Sequence, residues 1–157
     1  MKNLKAFTVI ELIFVIVVLG ILAGIAVPRL AATRDDATIA KMRGDIAAIR
    51  SGLSLVRSEN MMRGVSTWPA LEGSDEATLF DGVLQQPIYP MKTGGRNGWT
   101  LVAKGSNNAT STYTASVAGK STTFNYYPTS ALATAKGKNV GSFDCDHRDD
   151  LCQVLAQ

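Results

Sequence analysis

The chain has 157 residues, of which 46% are hydrophobic and 18% charged, with a formal net charge of +3. That length holds one small domain with a modest core, and the near-neutral charge gives no broad electrostatic case for nucleic acid. A single histidine, His147, and the lack of a phosphate loop, a Gly-x-Ser-x-Gly or a His-Glu-x-x-His motif argue against an enzyme.

The chain is organised around an apolar run from Phe7 to Val27, closed by Pro28 and holding one charge, Glu11. An apolar helix of about 20 residues crosses a bilayer core of roughly 30 Å. A cleaved secretory signal has a shorter apolar core and a small-residue exit. Here the core is longer, carries a carboxylate near its start and lacks an Ala-x-Ala exit, so hydropathy alone reads as an uncleaved single-span anchor.

The order of residues around Ala6 adds to that reading. Lys5-Ala6-Phe7-Thr8-Val9-Ile10-Glu11 resembles the processing site of type IV prepilins and type II secretion pseudopilins. The resemblance implies a basic leader, residues 1–6, cut between Ala6 and Phe7 on the cytoplasmic side. It also implies N-methylation of Phe7, both steps by a prepilin peptidase/methyltransferase. Ala6 departs from the glycine that the family most often has there. The resemblance is specific over about residues 2–30 and architectural beyond. Loss of Lys2 and Lys5 with the leader would lower the net charge from +3 to 3 − 2 = +1.

A charge inside a membrane span costs a few kcal/mol and calls for a partner. For Glu11 the nearest is the α-amino group that cleavage frees on Phe7, on the same subunit or, as the family implies, on a neighbour. The bland alternative is a carboxylate that snorkels to the interface. Lys2 and Lys5 before the run, against Arg29, Arg34, Lys41 and Arg43 after it, do not by themselves place the N-terminus in the cytoplasm. That orientation, with the following domain in the periplasm or, in a pilus, outside the cell, is taken from the resemblance. Gly20 and Gly24 form a Gly-x-x-x-Gly pair, and Pro28 removes the hydrogen bond to the Gly24 carbonyl. They mark a helix-pairing face or a place where the helix loosens. The resemblance favours loosening in a packed fibre.

After Pro28 the pattern becomes amphipathic. Ile39, Met42, Ile46, Ile49, Leu53 and Val56 recur at three- and four-residue steps, predicting a helix that buries one stripe and stops at Gly64. Residues 65–97 carry Pro and Gly at a density that predicts a loop, with a short helix near Glu76 to Leu84 and with Trp68 and Phe80 either tucked into the core or serving a surface. Trp99–Ala103, Ser111–Val117 and Ser121–Tyr127 are strand-like, with turns at 105–108 and 118–120. The expected fold is α+β, a long N-terminal helix on an antiparallel sheet of about three strands, pilin-like. Its expected parts are the leader 1–6, a transmembrane and assembly helix 7–28, an amphipathic helix 29–64 and a head 65–157.

Cys145 and Cys152 are the two cysteines, and in a periplasmic domain they read as one disulfide. Around them lie Asp144, Asp146, His147, Asp149 and Asp150. The spacing is not an EF-hand and no glycine supports the loop, so a solvated acidic turn is favoured over calcium, and no metal or cofactor is expected. Arg57, Arg63, Lys92, Arg96, Lys136 and Lys138 are scattered in sequence and leave DNA binding open.

The resemblance thus implies a filament subunit that polymerises with copies of itself and with minor pilins or pseudopilins. An assembly ATPase and an inner-membrane platform protein would draw it from the inner membrane. Its short tail loop leans toward a type II secretion pseudopilus that moves folded proteins across the outer membrane. A type IV pilus or competence filament is the alternative, and a monomeric membrane-anchored binding module is the reading from another class.

Overall fold

A computed structural model describes residues 7–75, 77–105 and 110–157. The leader with Ala6, the expected start of the short helix at Glu76 and most of the expected turn at 105–108 lie outside the described residues. The chain divides between Ala37 and Thr38 into two compact units.

Helix α1, Val9–Met62, supplies the first unit and opens the second. In the first, Val9–Val27 has a mean hydropathy of 2.9 over 19 residues and none of it is buried, so one helix is long and apolar enough to cross a membrane. In the second unit α1 shows the predicted stripe. Met42, Ile46, Ile49 and Leu53 are at most 2% exposed, with Ile39 and Val56 packed against them. Helix α1 ends before Gly64, whose φ of 80° is the left-handed conformation that glycine adopts at little cost.

The stripe packs on a four-stranded antiparallel sheet of order β1-β2-β3-β4. Its strands are β1 (Gly98–Ala103), β2 (Ser111–Val117), β3 (Lys120–Tyr126) and β4 (Phe143–Cys145). The three expected strands are present, and β4 adds a fourth at the β3 edge. Ala118 and Gly119, at φ 55° and 83°, make the tight β2–β3 turn. Period-two alternation turns Tyr113, Phe124 and Cys145, register partners across three strands, into the core. The β1–β2 pairing shifts register between Leu101 and Ala103. Two short helices follow the meander, α2 (Ser130–Ala135) before β4 and α3 (Asp150–Leu155) after it.

The connecting segment covers the sheet and is tied to it by side chains. The Tyr126 hydroxyl donates to the Pro69 carbonyl at 2.6 Å, and the Tyr113 hydroxyl donates to the Glu72 carboxylate. Residues 77–84 hold turns and a bridge from Leu79 to Ile88 instead of the expected helix. The cause is local competition for the backbone. Asp81 accepts from the N–H groups of Gly73 (2.6 Å) and Asp75 (3.0 Å), and Asp75 accepts from Ala77 N–H (2.9 Å). Burial works to raise the Asp81 carboxyl, but those N–H groups hold it below its ordinary value. Phe80, at φ 62° and fully buried, enters an aromatic cluster with Trp99, Tyr113 and Phe143, its ring 4.4 Å from that of Tyr113. Trp68 is only partly buried, with Arg57 stacked 5.1 Å above its ring.

Candidate functional site

The first turn of α1 is closed by two side chains. Glu11 N–H donates to Thr8 Oγ1 at 3.3 Å, while the Glu11 carboxylate accepts from Thr8 N–H at 3.4 Å and Thr8 Oγ1 at 3.2 Å. This is a capping box, in which N-terminal donors left unpaired by the helix find side-chain partners. The carboxylate also lies at the positive end of the helix dipole. Glu11 therefore has a partner on its own chain, held by long contacts. Sequence reasoning singled out Glu11 and missed Thr8, although Thr-x-x-Glu ahead of an apolar run is a recognisable helix start. Phe7, just before this turn, is 77% exposed.

Further along the span, a Cβ added at Gly20 or Gly24 would meet no atom within 4 Å. Nothing within the described residues of this chain requires glycine there. Helix α1 passes through Pro28 without a break in its assignment.

At the far end of the chain, the Cys145–Cys152 disulfide joins β4 to α3, its Cα atoms 5.9 Å apart and both cysteines buried. Asp144 on β4 pairs with two cations, Lys138 at 2.7 Å and Arg50 of α1 at 3.6 Å, and lies 3.1 Å from His147 Nε2. Burial works to raise the Asp144 carboxyl, but Lys138 and the Cys145 N–H hold it below its ordinary value. The neighbouring carboxylates have local tasks. Asp146 accepts from Arg148 N–H at 3.0 Å, and Asp149 caps α3 by accepting from Leu151 N–H at 2.9 Å. Among the described residues no group of three or more His, Cys, Asp or Glu side chains is placed to hold a metal. Three of the scattered basic residues have local partners. Arg57 covers Trp68, Arg63 pairs with Glu59, and Arg96 donates to the Ala118 carbonyl at 3.1 Å. Lys136 and Lys138, by contrast, line one cavity with Arg148.

The chain is 32% identical over 121 residues to the type IV narrow pilus major component PilA5 of Thermus thermophilus, covering 77% of this chain and 94% of that protein. An alignment of that length necessarily reaches well into the second unit. It is 35% identical over 78 residues to the type II secretion system core protein G of Klebsiella michiganensis, covering 50% of this chain and 51% of that protein. With the core protein G of Pseudomonas aeruginosa it shares 41% over 59 residues, 38% of this chain and 42% of that protein. The chain thus spans about half the length of these two core protein G relatives. No family model matches the chain, and no solved structure matches it significantly.

Proposed function

We propose that this chain, which belongs to the family of type IV pilins and type II secretion pseudopilins, is a filament subunit of a type II secretion pseudopilus that moves folded proteins across the outer membrane. The observation that carries the reading is the span Val9–Val27 of α1, 19 residues with a mean hydropathy of 2.9 and no buried surface, headed by the Thr8–Glu11 capping box. A helix so exposed needs lipid before assembly and other helices after it.

In this reading the peptidase/methyltransferase cuts between Ala6 and Phe7 and methylates Phe7. The mature chain then stands in the inner membrane by residues 7–28, N-terminus cytoplasmic. Residues 29–64 support a periplasmic head of residues 65–157, in keeping with the oxidised Cys145–Cys152 pair. The platform protein and ATPase draw subunits, with minor pseudopilins, into a helical polymer of this chain. On docking, Glu11 exchanges its Thr8 contacts for the amine of a neighbouring Phe7. Gly20 and Gly24 supply a close-packing face or, with Pro28, a place where the helix loosens in the fibre.

The match to the Thermus pilus component over 94% of its length supports a second reading, a type IV pilus subunit. The intact mass of protein from native membranes should lack residues 1–6 and carry one added methyl group. An uncut chain would point instead to a monomeric anchored module. A deletion strain should then fail to release its exoproteins, with immunogold label confined to the envelope. Labelled surface fibres with secretion intact would replace the pseudopilus by the pilus. Glu11→Ala should insert normally and yield few or no filaments, and normal filament yield would sink the proposed Glu11–Phe7 exchange.

A further inference from the structure

We propose that the cavity between β3, the loop after α2 and the turn after β4 binds a single phosphate group, as carried by a free phosphomonoester or a nucleic-acid backbone. The cavity measures about 360 Å³ and is lined by Asn125, Tyr127, Lys136, Lys138, Asp146 and Arg148, beside Cys145.

The groups left unspent in it are donors. Asn125 Oδ1 already accepts from the Thr112 hydroxyl at 3.0 Å, which leaves its NH₂ group to donate. Lys136 and Arg148 are exposed, and their charged ends pair with no side chain among the described residues. Lys138 is occupied by Asp144 at 2.7 Å, and Asp146 takes the Arg148 N–H at 3.0 Å.

Tyr127 adds a hydroxyl to that donor set. It is 6% exposed, stands apart from the main core cluster, and its hydroxyl has no hydrogen-bond partner among the described residues. No fully buried side-chain oxygen goes unpaired among the described residues, so this hydroxyl reaches the cavity's solvent. Its backbone is pinned by Tyr127 N–H to the Ser142 carbonyl (3.1 Å) and Gly141 N–H to the Tyr127 carbonyl (2.7 Å). A hydroxyl, two cations with no side-chain partner and an amide NH₂ lining one cavity suit an oxyanion with several terminal oxygens better than a two-oxygen carboxylate.

The test is a titration of full-length protein in zwitterionic micelles with inorganic phosphate, against chloride and acetate at equal ionic strength. The amide signals of Asn125, Tyr127, Lys138 and Arg148 are followed. Phosphate should move them saturably and acetate at least fivefold more weakly. Tyr127→Phe removes an atom with no protein partner and should weaken phosphate about fivefold. The pair Lys136→Gln with Arg148→Gln should weaken it at least tenfold, and Lys92→Gln, outside the cavity, should not. Displacement of phosphate by a single-stranded oligonucleotide assigns the group to nucleic acid, and no displacement assigns it to a small phosphomonoester. Shifts no larger than with chloride, or unchanged affinity in Tyr127→Phe and the double variant, overturn the proposal.

Discussion

Removal of the Cys145–Cys152 bond by the double change Cys145→Ala, Cys152→Ala should cost the head a large share of its stability. The bond closes a sequence separation of 7, and closing so short a loop is worth about 2.5 kcal/mol in the chain-entropy model. Both cysteines are buried, so loss of two packed sulfurs adds roughly 1 kcal/mol. Against a typical domain stability of about 5–15 kcal/mol, that is enough to move the unfolding midpoint by about 1.5–2 M urea. The remaining holds on α3 are few. They are the burial of Leu151 and Leu155, the Asp149 cap, the Arg43 guanidinium donating to the Val154 carbonyl at 2.8 Å and the Gln153 amide donating to the His147 carbonyl at 2.8 Å. A six-residue helix has little stability of its own, so α3 should open with the bond. The assay is urea unfolding of full-length protein in micelles, read by the emission of Trp99, which is 1% exposed, with hydrogen exchange at Leu151–Leu155 alongside. A midpoint shift under about 0.5 M with α3 exchange unchanged would refute the reasoning. The tail would then be held by packing and its remaining hydrogen bonds.

Phe80→Ala should destabilise the head by about 3–5 kcal/mol, since it empties the centre of the aromatic cluster, and the same urea titration checks it. Gly141→Ala should cost about 2 kcal/mol or more and shift Trp68 emission. Gly141 has φ 77°, and an added Cβ would lie 2.3 Å from the Trp68 ring. The folded Asp144 carboxyl titrates below its ordinary value of 3.8, so its stabilisation is complete above about pH 4 and is lost as the pH falls through the folded value. Asp144→Asn should therefore be less stable than the parent at pH 7, with the gap closing in unfolding titrations carried down toward pH 3.

The stripe Ile39, Met42, Ile46, Ile49, Leu53 and Val56 was legible because one buried face repeats over five turns, and the two long hairpin strands because both are rich in β-branched and aromatic residues. Strand β4 has only three residues and pairs with β3 after an intervening helix, so no local pattern announces it. The sequence places a short helix near Glu76 to Leu84 within a loop rich in Pro and Gly. The conformation of 77–84 instead depends on two aspartates that take nearby backbone N–H groups and on a phenylalanine in the left-handed region, whose ring is held by the aromatic cluster. Glu11 stood out as a charge in an apolar run. Its partner Thr8 is a common residue whose role shows only when the helix start is fixed. The cavity beside Tyr127 draws on residues from three separate stretches, which no local pattern ties together.

The β1 edge has a consequence for crowding. Heads held close together in a membrane or a fibre present open strand edges to one another, the usual template for runaway sheet growth. On β1 the register slip between Leu101 and Ala103 breaks the even ladder just where Val102 lies 61% exposed, and β4 at the opposite edge is three residues long. Neither edge offers a second head a straight run to zip onto. Contacts through α1 can therefore be dense without the heads fusing into amyloid-like stacks.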